Sequence, residues 1–207
     1  MTEEEARAWL EVANVPRGTY DRLAAFARFL RDENEHQNLV SASTLDAIWA
    51  RHIVDSAQLL ALAGPGSWVD LGSGAGFPGL VIAAIGGRPV TLVESRAKRI
   101  GFLQQAAEVL GITDRVEIFG GRVEMLPARQ FAVISARAFA PLPRLLGVAH
   151  RLSTPETAWL LPKGRSAERE LADVTDSWQG MFRIVPSVTD SEAAIIVASQ
   201  VRPRKRR

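Results

Sequence analysis

The sequence predicts an α/β fold: a doubly wound, mostly parallel seven-stranded sheet with an antiparallel edge hairpin, preceded by a helical N-terminal extension. Three observations predict it. From about residue 67 onward, short β-type runs alternate with helical stretches, the pattern of strands joined by crossover helices. A glycine-rich turn, Gly72-Ser73-Gly74-Ala75-Gly76, follows the first run, where doubly wound sheets place their ligands. The last two runs lie too close together for a crossover helix and so form a hairpin.

Residues 1–63 carry three amphipathic segments and no β-type run. In the second, Tyr20, Leu23, Ala27 and Leu30 recur at helical spacing. In the third, Leu45, Ile48, Trp49, His52, Ile53, Ser56, Leu59 and Leu60 form one apolar stripe, and the polar stretch 34–44 separates the two. Gly64-Pro65-Gly66 punctuates the chain. Strands are expected at 67–71, 90–94, 115–119, 131–135, 158–162, 182–185 and 194–199, with helical stretches after the first five. The expected organisation is a helical extension over 1–63, an α/β domain over 64–201 and a basic tail over 202–207. There is no internal repeat.

The chain has 207 residues, 23% charged and 47% hydrophobic, ordinary for a globular protein. It contains no cysteine, which excludes disulfides, thiolate metal sites and cysteine nucleophiles. Its three histidines make a histidine metal cage an unpromising expectation, so no metal is expected. No apolar run is long enough to span a membrane. The start, Met1-Thr2-Glu3-Glu4-Glu5, is acidic where a signal peptide is basic, so a cytoplasmic protein is expected. The net charge is +2, yet the last six residues carry five positive charges, leaving about −3 for the rest. Such a tail suits a polyanion, nucleic acid first, or is simply a solvated end.

The turn carries the chemistry. Trp68-Val69-Asp70-Leu71 is an apolar strand ending near an acidic residue; glycines follow at 72, 74 and 76, then Phe77-Pro78-Gly79. Glycine is required where φ is positive or where a ligand lies against bare backbone. Pro78 suits the first turn of the following helix. Dinucleotide sites use G-x-G-x-x-G, but here the residue at that third position is Phe77. The Asp70-to-Gly76 pattern resembles motif I of S-adenosylmethionine (SAM) methyltransferases. Glu94, closing the second strand, can accept both ribose hydroxyls of an adenosine cofactor. Asp70 suits a cationic sulfonium better than a pyrophosphate.

Missing signatures narrow the acceptor. Methylation at pyrimidine C5 uses a cysteine, and there is none. The Asn/Asp-Pro-Pro-aromatic signature of amine methylation is absent after the fourth strand, which reads Ile134-Ser135-Ala136-Arg137-Ala138-Phe139-Ala140-Pro141. A ring nitrogen such as guanine N7 has a free lone pair and needs placement rather than a base. Arg137 has the donors to read a guanine edge or bind a phosphate, or to make a surface ion pair. Phe139 could stack on a base or belong to the core.

With these residues in hand, the chain resembles the ribosomal RNA small-subunit methyltransferase G family, also called glucose-inhibited division protein B. The resemblance spans nearly the whole chain and rests on Asn38-Leu39, Arg51-His52 with Asp55-Ser56, Asp70 through Gly79, Ser135 through Ala140, and Lys163-Gly164. It implies a Rossmann-like class I SAM-dependent fold and methyl transfer from SAM to N7 of one guanine in 16S ribosomal RNA near the decoding region. It implies that Gly72 and Phe77 line the SAM site, that Val123 and Glu124 sit beside the adenine, and that Arg137 faces the methyl-transfer centre. Glu94 stands where many members have aspartate, and Val40 where threonine is common.

The cofactor-binding candidates are therefore Asp70, Gly72, Gly74, Gly76, Phe77, Glu94, Val123, Glu124 and Arg137, with Arg137 also the catalytic candidate. The RNA candidates are Asn38, Arg51, His52, Phe139 and Lys163. Arg51 and Asp55 have the spacing of an exposed helical ion pair. His52 lies on the apolar stripe and is either a structural histidine or part of the active site. Lys163, ending the fifth strand, suits a phosphate. The expected partner is 16S ribosomal RNA, naked or in the small-subunit particle, and the protein is expected to be a monomer. The competing readings are a SAM methyltransferase of another RNA or a small molecule, an NAD-dependent oxidoreductase, and a SAM-binding regulator.

Overall fold

A computed structural model describes residues 1–204. Seven strands form one sheet: β1 (Trp68–Leu71), β2 (Val90–Glu94), β3 (Val116–Gly120), β4 (Val133–Ser135), β5 (Ala158–Lys163), β6 (Trp178–Pro186) and β7 (Ala194–Pro203). Their order is β3-β2-β1-β4-β5-β7-β6. The first five are parallel, and β7 runs antiparallel to both β5 and β6. The chain winds outward through β1, β2 and β3, then returns to place β4 beside β1. That reversal opens a crevice at the carboxyl ends of β1 and β4.

The sheet is buried on both faces, which is why its central strands are apolar almost throughout. Trp68, Leu92, Val133, Leu160 and Ile195 point into one core. Val69, Val93, Ile134, Leu161 and Ile196 point into the other. The first core lies beneath α5 (Gly79–Gly86) and α6 (Ala97–Leu110), together with the N-terminal extension. The second lies beneath α7 (Leu142–Ala149), with Ala167 of α8 (Ala167–Ala172) at its margin.

The extension contains α1 (Glu3–Val12), α2 (Arg17–Asn34) and the short α3 (Ala42–Leu45). In α2, Leu23, Phe26, Ala27 and Leu30 are buried, and Phe26 meets both Phe77 and Phe102. The third amphipathic segment is not one regular helix. It is π-helical over Trp49–Val54, α-helical over α4 (Asp55–Ala57) and 3₁₀ over Gln58–Leu62. Glu3 secures its start by accepting the amides of Trp49 and Ala50 at 3.3 and 2.9 Å.

Three expectations need correction. No helix of ordinary length follows β3. Only a 3₁₀ turn, Val123–Met125, precedes β4, because Gly120, Gly121 and Pro127 interrupt the connection. Pro78 lies at the cap before α5 rather than inside it, after a cis Phe77–Pro78 peptide. The edge hairpin is longer than its apolar runs. Arg202 and Pro203 pair with Gln179 and Trp178, so the expected tail begins inside β7. Arg204 donates to the Trp178 carbonyl at 3.1 Å, and residues 205–207 lie outside the described residues. Half-exposed strands carry polar residues on one face, which shortened their hydrophobic signal. Among the described residues, no helix is long and apolar enough to cross a membrane.

Candidate active site

The glycine turn is held from below. The amides of Gly72 and Ser73 both donate to the Val93 carbonyl, at 2.9 and 3.0 Å, tying the end of β1 to β2. Gly72, Gly74 and Gly76 have φ of 70°, 56° and 88°, the left-handed region that favours glycine. A Cβ at Gly76 would come within 2.2 Å of Leu80 Cδ1, and one at Gly72 within 2.5 Å of Phe139 Cδ2. At Gly74 space remains, so its requirement is conformational.

Asp70 is fully buried beneath this turn. Its Oδ1 accepts the Ser135 hydroxyl at 2.7 Å, and its Oδ2 accepts the Gly79 amide at 3.2 Å. Burial pushes its carboxyl up to about 6 against these bonds. Asp70 therefore shapes the turn and the start of α5, and its carboxylate has no exposed surface to offer a ligand. Glu94 is also buried. Its Oε2 accepts Gly74 N at 3.0 Å, and its Oε1 accepts Ser95 N at 2.7 Å and Arg96 N at 2.9 Å. It thus sits at the end of β2 directly against the turn. The Gly121 amide donates to its backbone carbonyl, bringing the end of β3 alongside. Beyond that, Val123 is buried and Glu124 exposed, both on the 3₁₀ turn.

Phe77 is not a surface liner but a buried platform. His52 stacks on it at 4.8 Å, and the Arg137 guanidinium lies 5.2 Å from its centroid. Arg137 joins this platform to the extension. Its Nη1 donates to the Arg51 carbonyl at 3.1 Å and to Asp55 Oδ2 at 3.3 Å, and its Nη2 bonds His52 Nδ1 at 2.9 Å. Arginine only donates, so His52 Nδ1 is the acceptor and its proton sits on Nε2. Burial, then the charges of Arg137 and Arg51, lower the His52 imidazole to about 3, so it is neutral. Burial lowers the Arg137 guanidinium from its ordinary value, opposed chiefly by Asp55.

Beside this junction lies a cavity of about 780 Å³. Arg51, His52, Arg137, Phe139 and Lys163 line it, together with Asp55, Val40 and Ser41. Asn38 is exposed and does not line it, although Val40 and Ser41, two and three residues on, do. None of the turn residues, Glu94, Val123 or Glu124 lines it either. The cavity and the turn meet through Phe139, which packs against Gly72, and through Arg137, which lies on Phe77.

Two charges are placed differently from expectation. Arg51 does not pair with Asp55 one turn on. It pairs with Asp190 of the β6–β7 loop at 2.5 Å, and Asp55 turns to Arg137. Each finds a partner from a distant element instead, the β6–β7 loop for Arg51 and the segment after β4 for Asp55. Lys163 is not a free cation. Its ammonium donates to Glu170 Oε2 at 2.7 Å, and Glu170 also accepts Ser166 Oγ at 2.9 Å and the Leu142 amide at 3.0 Å. Burial raises the Glu170 carboxyl, but these three donors outweigh it and the net shift is downward. Sequence reasoning missed Glu170, Asp190, Ser135 as the partner of Asp70, and Asp55 as the partner of Arg137. Only Asp55 and Ser135 carried a signal, since both lie in stretches already singled out.

Residues 19–195 match the family described as GidB, rRNA small subunit methyltransferase G. The chain belongs to this family. Among relatives named ribosomal RNA small subunit methyltransferase G, that of Rhizorhabdus wittichii is 61% identical over 99% of this chain and 95% of its own. That of Zymomonas mobilis is 49% identical over 100% and 98%. Two solved structures share the fold of this rRNA small subunit methyltransferase G family member. The glycopeptide N-methyltransferase MtfA, complexed with S-adenosyl-L-homocysteine, superposes with TM-score 0.60 at 12% identity, covering 72% of this chain and 89% of that one. A point mutant of MtNAS, in complex with S-adenosylmethionine, superposes with TM-score 0.60 at 17% identity, covering 95% and 83%. The fold is the class I SAM-dependent methyltransferase fold expected from the sequence.

Proposed function

We propose that the protein transfers the methyl group of SAM to N7 of one guanine in 16S ribosomal RNA, near the decoding region. The observation that carries this reading is the placement of Arg137, bonded to the extension on one side, stacked over Phe77 of the glycine turn on the other, and facing the cavity.

The residues fit the cofactor. Three glycines with positive φ present a turn without side chains; Gly72 and Gly76 make room for Phe139 and Leu80 behind it, and Gly74 leaves open backbone that a ligand can approach. Glu94 brings a carboxylate to the end of β2, where ribose hydroxyls need acceptors; three amides fill Oε1 and half of Oε2, which leaves one lone pair on Oε2 for a hydroxyl. Val123 and Glu124, next to the end of β3, would flank the adenine. Asp70 contributes through the turn that it braces. When bound, SAM supplies a methyl carbon made electrophilic by the adjacent sulfonium.

For a ring nitrogen with an available lone pair, the protein must orient rather than deprotonate. The neutral His52 is consistent with that demand, since it acts as an acceptor for Arg137 and not as a base. Arg137 keeps its Nε hydrogen and one Nη2 hydrogen beyond the bonds described, and these suit a guanine O6. Phe139, half-buried on the cavity wall, offers a ring to a base. Arg51 at the rim suits phosphate, and Lys163 reaches one by exchanging Glu170 for it.

The test is transfer of labelled methyl from SAM to small-subunit rRNA, naked and in particles, with the product mapped by nuclease digestion. Label at a guanine N7 is expected. No label on any form, with SAM binding intact, would move the reading to another RNA or a small molecule.

A further inference from the structure

Asp55 is held more firmly than one bond to Arg137 requires. Its Oδ2 accepts Arg137 Nη1 at 3.3 Å. Its Oδ1 accepts Gln58 Nε2 at 3.0 Å and the Thr189 hydroxyl at 3.2 Å. Gln58 belongs to the 3₁₀ turn of the extension, and Thr189 to the loop joining β6 and β7. Both side chains are buried, each 5% exposed.

The two are also fastened to each other's elements. Gln58 Oε1 accepts the Val188 amide at 2.9 Å, and Gln58 Nε2 donates to Ser187 Oγ at 3.1 Å. Ser187 Oγ in turn bonds Thr189 Oγ1 at 2.9 Å. The loop and the extension thus close around one carboxylate from two sides. Buried polar groups whose partners are all supplied add little net stability, but they leave the carboxylate a single orientation. With Oδ1 engaged twice, Oδ2 is directed at Arg137.

We propose that Thr189 and Gln58 are positioning residues for methyl transfer: they anchor the Asp55 carboxylate and, through it, fix the Arg137 guanidinium on Phe77. The edge hairpin then takes part in catalysis, although β6 and β7 lie on the far side of the sheet from the glycine turn. The inference rests on the role given to Arg137 in the proposed reaction.

Thr189→Val tests it, since valine keeps the buried shape and loses only the hydroxyl; Thr189→Ser restores the donor. A displacement of about 1 Å at a reacting centre can cost about a hundredfold, and here one of two anchors is lost. Thr189→Val should therefore lower kcat on small-subunit particles about tenfold. KM for the particles and Kd for SAM should stay within about twofold, since neither contact is made by Thr189. Thr189→Ser should stay near wild type, and Gln58→Met should behave like Thr189→Val.

A second readout needs no acceptor. In protein labelled with ¹⁵N-histidine, the His52 Nδ1 signal reports the bond from Arg137, and it should move in Thr189→Val but not in Thr189→Ser. An unchanged kcat in Thr189→Val, or an equal fall in Thr189→Ser, would overturn the proposal. An unmoved His52 signal would overturn the anchoring whatever the acceptor. A moved signal, with no methylation of rRNA by the wild-type protein, would keep the anchoring and overturn the RNA acceptor instead.

Discussion

Replacing His52 by asparagine should remove a large part of the acid sensitivity of folding. In the folded protein the imidazole titrates at about 3 rather than at its ordinary 6.5, because it is buried between Phe77 and two arginines. A basic group with a depressed folded value stays neutral in the native state while the unfolded chain takes up the proton. Its contribution is therefore fully present above 6.5 and is lost as pH falls toward 3. At about 1.4 kcal/mol per pH unit, the loss is about 2 kcal/mol at pH 5 and about 4 kcal/mol by pH 3. Asparagine at 52 keeps an oxygen near the Nδ1 position for Arg137 but cannot titrate; it forfeits a ring stack worth about 1 kcal/mol at every pH. Urea unfolding at pH 7.5, 6 and 5 separates the two effects. His52→Asn should be the less stable protein at pH 7.5, and the wild type should lose about 2 kcal/mol more than the variant between pH 7.5 and 5. Parallel pH dependences, or an imidazole titrating near 6.5 by NMR, would refute the reasoning.

Asp70 works in the opposite direction. Its carboxyl is raised from 3.8 to about 6, so the stability it contributes is present below 3.8 and lost as pH rises through 6, by about 3 kcal/mol. Unfolding of Asp70→Asn at pH 4 and 7 should show the variant gaining about 2 kcal/mol relative to wild type, a trend that a flat difference would contradict. Arg137→Lys keeps the charge but not the planar fork that reaches His52, Asp55 and the Arg51 carbonyl together. It should lower kcat at least about tenfold, as measured by filter assay. Glu94→Gln sets an amide hydrogen against the Gly74 amide or those of Ser95 and Arg96. SAM affinity in a calorimetric titration should fall at least about tenfold, for about 1–3 kcal/mol of mispaired polar groups.

What the sequence determined by itself is what local pattern encodes. Apolar residues at 68, 92, 133 and 160 facing one core, with 69, 93, 134 and 161 facing the other, follow from strands buried on both sides. The turn follows from glycines at 72, 74 and 76, because only a residue without Cβ enters those φ values freely. Glu94 could be placed beside that turn because β2 pairs with β1 in parallel register. The tertiary structure alone decided which charges meet. Arg51 chooses Asp190, 139 residues away, and Arg137 chooses Asp55, 82 residues away, because the extension packs against both the edge hairpin and the segment after β4. It also decided that Lys163 is engaged by Glu170, that Asp70 faces the underside of the turn and that His52 is neutral. Ionisation and pairing depend on burial and on neighbours distant in sequence, and a periodicity read along the chain does not contain them.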